Sequence, residues 1–135
     1  METASIRAVL FAKDLDNVAT FYSEALGLRC GRRDEYHAVL QRDGFELIVQ
    51  QIPRPVSAGI EIAEPPVRRE GGAIRLDFPV DSVERSRSLA RSLGGGIDET
   101  PPPWAERDSN FYLGYDPEGN VFGVSEIPRR SAKAS

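Results

Sequence analysis

Ile6-Arg7-Ala8-Val9-Leu10-Phe11-Ala12-Lys13-Asp14-Leu15 is answered further along the chain by Ile74-Arg75-Leu76-Asp77-Phe78-Pro79-Val80-Asp81-Ser82-Val83. Setting Arg7 on Arg75, an offset of 68 residues (75 − 7), also sets Ile6 on Ile74, Leu10 on Phe78, Ala12 on Val80 and Leu15 on Val83. A helix-like stretch follows each run, closing on Leu26-Gly27 in the first and Leu93-Gly94 in the second. Each copy then continues into short β-prone runs around a tight turn, Asp43-Gly44 first and Asp116-Pro117-Glu118-Gly119-Asn120 second. Such self-similarity reads as two supersecondary units that bury one core together, with the binding site at their joint.

The elements follow from local pattern. Residues 6–12 are β-prone, Asp14 is placed to cap a helix, and Val18, Phe21, Tyr22 and Ala25 form one apolar stripe along it. Gly27 supplies the left-handed residue that ends a helix. Strands are expected at 28–33, 35–41 and 45–51, with Arg42-Asp43-Gly44 as the hairpin turn and Phe45, Leu47 and Val49 on one face. Residues 53–72 dissolve into proline, glycine and charge and read as a linker, with Ile60-Glu61-Ile62 as a short strand at most. The second unit repeats the order: strand 74–80, a helix opened by an Asp81/Glu84 capping box with Val83, Leu89, Ala90 and Leu93 inward, then strands near 97–99, 111–115 and 121–127. The fold class is therefore α+β, a single domain over 1–135. It comprises module 1 (about 5–52), the linker and module 2 (about 73–127), each βαβββ, with a flexible basic tail at 128–135.

Composition narrows the function classes. A net charge of −4 supplies no basic face for nucleic acid. No apolar run is long enough to span a membrane, and a single cysteine, Cys30, leaves no intrachain disulfide and fits a reducing, cytoplasmic setting. Cys30 reads as a structural thiol and the lone His37 as a satisfied or solvent-facing side chain.

The doubled module, with Phe21-Tyr22 before Leu26-Gly27 and the turn Asp116-Pro117-Glu118-Gly119-Asn120, resembles the vicinal oxygen chelate superfamily. That group includes glyoxalase I, extradiol dioxygenases, fosfomycin-modifying enzymes and bleomycin-resistance proteins. The resemblance implies eight strands forming a curved, cleft-bearing sheet with helices outside, and a homodimer. It also implies a divalent metal held by a His on the first strand and a Glu on the last strand of each module. Matched residue by residue, the His positions fall on Arg7 and Arg75, the second Glu position on Gly123, and the first on Glu46. Arginine has no lone pair to give and repels a cation, so the expectation is no metal and no cofactor.

Strand alternation puts Arg7, Val9 and Phe11 on one face of their strand and Arg75 and Asp77 on one face of theirs. Two pseudo-symmetric guanidinium groups suit a carboxylate or phosphate, unless Asp77 or Glu46 already occupies them. Trp104, on a proline-rich loop, and Tyr115 are the aromatic candidates to line the cleft. The expected ligand-binding set is thus Arg7, Arg75, Glu46, Asp77, Phe11, Trp104 and Tyr115. Three functions stay open: a metal-independent small-molecule binding protein of the bleomycin-resistance type favouring an anion, a metal-independent lyase or isomerase with Glu46 as base, and a regulatory subunit with a vestigial cleft.

Overall fold

A computed structural model describes residues 5–106 and 109–128. The expected flexible tail, apart from Pro128, lies outside the described residues. The elements run β1 (Ile6–Ala12), α1 (Leu15–Leu26), β2 (Arg29–Arg33), β3 (His37–Arg42), β4 (Phe45–Gln51), α2 (Arg54–Ser57), β5 (Leu76–Val80), α3 (Val83–Ser92), β6 (Gly96–Ile97), β7 (Phe111–Tyr115) and β8 (Val121–Glu126). Two βαβββ modules are present. Their eight strands are divided into two four-stranded sheets, ordered β1-β4-β3-β2 and β5-β8-β7-β6, so that β1 and β5 are edges. In each sheet the first and last strands pair parallel and the remaining pairs are antiparallel.

Local chemistry accounts for most boundaries. Asp14 Oδ1 accepts the Asn17 N–H at 3.1 Å, which opens α1, and Gly27 ends it at φ 79°. Asp43 and Gly44 both adopt positive φ, 47° and 82°, which matches the twist of the β3–β4 hairpin. The cap of α3 is Ser82 rather than Asp81: its hydroxyl accepts the Arg85 N–H, and the Glu126 carboxylate accepts that of Val83. Ile60–Ile62 makes no strand, and β5 begins at Leu76 rather than at residue 74. Pro53 and Pro55, read in the sequence only as breakers, lead into the one-turn α2, whose first turn has no use for a proline N–H.

Both modules close over a single core. Phe21 and Tyr22 of α1 reach across to module 2, their rings 5.7 Å and 6.1 Å from Phe122, and Tyr22 lies 5.8 Å from Phe78. Phe21 is fully buried, and truncating such a ring to Ala costs about 3–5 kcal/mol. The Gly-turn motif serves this junction directly. Buried Asp116 accepts the Tyr22 hydroxyl at 2.8 Å, the Glu118 and Asn120 N–H groups, and the Asn120 side-chain amide. Glu118 in turn accepts the backbone N–H groups of Lys13 and Asp14 at 2.9 and 2.7 Å, just ahead of α1. The opposite faces of the sheets remain open. Ile6, Val9, Phe11 and Ile74 are all exposed there or at the two edges.

Candidate functional site

Between the β1 and β5 edges lies a cleft of about 750 Å³. Leu10, Leu47, Leu76 and Phe122 give it an apolar floor, and Tyr22 borders it from α1. Its rim carries Arg7 and Arg75 at the edges, Trp104 from the proline loop, and Arg68, Arg69 and Glu70 from the linker. The repeat therefore brings Arg7 of β1 and Arg75, the residue just ahead of β5, to one opening. Burial of the alternate residues Phe78 and Val80 under the helices is what turns Arg75 and Asp77 outward.

Neither edge arginine is uncommitted. Arg7 Nε donates to Glu46 Oε1 at 2.8 Å, and Gln41 donates to the other oxygen of Glu46 at 2.9 Å. These contacts, the Gln41 amide first and Arg7 second, hold the Glu46 carboxyl below its usual range. Arg75 is clamped harder. It donates from two nitrogens to both oxygens of Asp77, at 2.7 and 3.0 Å, and its guanidinium sits 5.0 Å from the Phe111 ring and 5.4 Å from the Trp104 ring. Of the expected residues, Arg7, Arg75 and Trp104 border the cleft, while Glu46 and Asp77 lie one contact behind the arginines. Phe11 and Tyr115 do not line it. Phe11 lies on the open sheet face, and Tyr115 faces a separate hollow against Gly94, Gly95 and Pro117.

A family profile described as Glyoxalase-like domain matches residues 7–125. The chain belongs to the glyoxalase-like family. No functionally curated protein matches it by sequence. Solved structures with the same fold include a glyoxalase/bleomycin resistance protein from Albidiferax ferrireducens (TM-score 0.62, 19% identity, 91% of this chain and 98% of that one). A fosfomycin resistance protein from Listeria monocytogenes matches at TM-score 0.63 and 12% identity over 99% and 98% of the two chains. A glyoxalase I mutant from Zea mays matches at TM-score 0.63 and 19% identity over 90% of this chain and 45% of its own.

The glyoxalase-like chain does not carry the ligands of a metal centre at the expected positions. Strand register settles which residues those are. β5 pairs Asp77 with Gly123, while β1 pairs Arg7 with Glu46 and Val9 with Ile48. Val9 and Asp77 are equivalent under the 68-residue offset (77 − 9), so Ile48, not Glu46, is the counterpart of Gly123. The four positions are therefore Arg7, Ile48, Arg75 and Gly123, none of which offers a donor to an ion. At Gly123 the space is already taken: a Cβ there would meet Asp77 Oδ1 and come within 2.6 Å of the Phe111 ring. His37 stands half-exposed beside Asp34, 3.8 Å away, and no cluster of three or more His, Cys, Asp or Glu suited to an ion occurs among the described residues.

Sequence reasoning missed Arg68, Arg69 and Tyr22 at the cleft. Tyr22 looked like a core stripe residue, which it also is. The two arginines sit in a linker without periodicity, and only the chain's return past the Gly119 turn places them there, where the Arg69 N–H donates to Gly119 O at 2.8 Å.

Proposed function

We propose that this glyoxalase-like chain is a metal-independent small-molecule binding protein whose ligand lies in the cleft between β1 and β5. The observation that carries the reading is the cleft itself: about 750 Å³ over an apolar floor, with its charged groups, four arginines and Glu70, at the rim. Such a site takes an apolar body and steers one polar end. An anionic end suits the rim, although Glu46 and Asp77 already neutralise the two edge arginines. The lyase reading is weaker, because a carboxylate held low by Gln41 and Arg7 is a poor base at neutral pH.

A homodimer is part of the same proposal. Ile6 and Phe11, exposed on the unpaired β1 edge and outside the cleft lining, offer a surface that a second copy would cover. Light scattering at micromolar concentration should give twice the monomer mass, and a monomer alone would contradict it. Thermal-shift screening tests the binding function: small apolar acids should raise the unfolding midpoint and divalent metals should leave it unchanged. A metal-dependent rise, with no response to any organic ligand, would overturn the reading.

A further inference from the structure

We infer that Arg69 is the residue that anchors an acidic group of the ligand, and that the ligand is an apolar molecule carrying a single anionic group such as a carboxylate or sulfonate. The inference rests on the cleft being a small-molecule site and adds where its charge is read.

Four arginines border the cleft, and three are already spent on carboxylates. Arg75 is bidentate to Asp77 and lies against two aromatic rings. Arg7 is held by Glu46, which Gln41 fixes from the other side. Arg68 donates from both terminal nitrogens to Asp98 at 2.8 and 3.3 Å, and its Nε lies 3.6 Å from the Glu70 carboxylate. Arg69 alone among them has no carboxylate partner among the described residues. Its Nε meets only the Glu118 backbone carbonyl, at 3.3 Å, a neutral acceptor.

The energetic consequence separates the four. An anion arriving at Arg75, Arg7 or Arg68 must displace a carboxylate or sit beside one, so a charge-assisted bond is exchanged for another and little is gained. At Arg69 no carboxylate has to be displaced: the incoming anion adds an ion–ion contact to a guanidinium held only by a backbone carbonyl, while the neighbouring Glu70 carboxylate lies against Arg68. The backbone there is fixed beforehand, since Arg69 N–H donates to Gly119 O and Arg69 O accepts from Gly72. Only the side chain has to be ordered, which keeps the cost of binding small.

The test uses two fluorescent probes of similar shape: 8-anilinonaphthalene-1-sulfonate, an anion, and N-phenyl-1-naphthylamine, which is neutral. Dissociation constants are measured for the full chain, for Arg69→Gln and for the charge-neutral double variant Arg75→Gln/Asp77→Asn, at low and high salt. Arg69→Gln should weaken the sulfonate by about fivefold or more, and abolish its salt dependence, while leaving the naphthylamine affinity unchanged. The double variant should lose less sulfonate affinity than Arg69→Gln, because the guanidinium it removes is already neutralised by Asp77. Equal sulfonate affinity in Arg69→Gln and parent, with both probes bound, would overturn the inference and leave the cleft reading standing. Loss of sulfonate binding in the double variant alone would move the anchor to Arg75. Binding of neither probe by the parent would remove the cleft reading and the inference with it.

Discussion

The Tyr22 hydroxyl donates to Asp116 Oδ2 at 2.8 Å, joining the helix of module 1 to the Gly turn of module 2 through a bond closed within the core. The residue that borders the cleft is thus locked by the Asp116–Asn120 turn. Asp116 accepts from Tyr22, Glu118 and Asn120 together; burial pushes its carboxyl above the usual range, against the pull of these hydrogen bonds. Removing the acceptor leaves several buried donors without partners. Asp116→Ala should therefore destabilise the fold by about 2–4 kcal/mol in urea unfolding, and a loss below about 1 kcal/mol would show that the turn closes without it.

Tyr22 also sets an alkaline limit. Burial first, and the neighbouring Asp116 second, raise its folded pKa well above the ordinary tyrosine value. The unfolded chain then releases this proton at lower pH than the folded one. Stability from this group is fully present below the unfolded pKa of about 10 and is lost as pH rises towards the folded value. Tyr22→Phe should be less stable than the parent at neutral pH, and the gap should narrow as pH rises above that point. A gap that stays constant to the highest accessible pH would contradict the assignment.

The outline of the fold was legible because its determinants are local. The Val18/Phe21/Tyr22/Ala25 stripe, the Gly27 stop and the Asp43-Gly44 hairpin each follow from residues within one turn of one another. What escaped was decided at long range. Asp81 and Ser82 are both competent caps, and the choice of Ser82 coincides with Glu126 accepting the N–H of Val83, 43 residues before it. The counterpart of Gly123 is not Glu46 but Ile48, each lying four residues past its hairpin glycine, and the inserted loop before β7 only hides the equivalence of the two hairpins. The hairpins are consequently offset by 75 residues (Gly119 against Gly44), where the opening strands are offset by 68 (Arg75 against Arg7). Arg69 left no signal, since nothing in Val67–Gly72 announces that it will pass the Gly119 turn.

Gly123 should resist any side chain. A Cβ there collides with Asp77 and with Phe111, whose ring is itself packed beside Trp104 at 5.7 Å. Gly123→Ala should lower stability by about 1–3 kcal/mol, the usual cost of overpacking. A neutral or stabilising result would mean that Asp77 swings away freely and that the second family carboxylate position is sterically available.

Glu46 should behave as a paired structural carboxylate. Its folded pKa is depressed, so its contribution to stability is present above the unfolded pKa and is lost as pH falls through the folded value. In an NMR titration its carboxyl should lie below the ordinary glutamate range, and Gln41→Leu or Arg7→Gln should each move it upward. A Glu46 that titrates near neutrality would revive it as a general base.

The central claim is that the cleft binds apolar small molecules without a metal. Affinity for N-phenyl-1-naphthylamine tests it most directly, measured in excess chelator, again after saturating Mn²⁺ or Zn²⁺, and in the cleft-filling variant Leu76→Trp. The account predicts the same dissociation constant with chelator and with metal, and binding lost in Leu76→Trp. Binding that appears only with metal, or that persists unchanged when the cleft is filled, would contradict it.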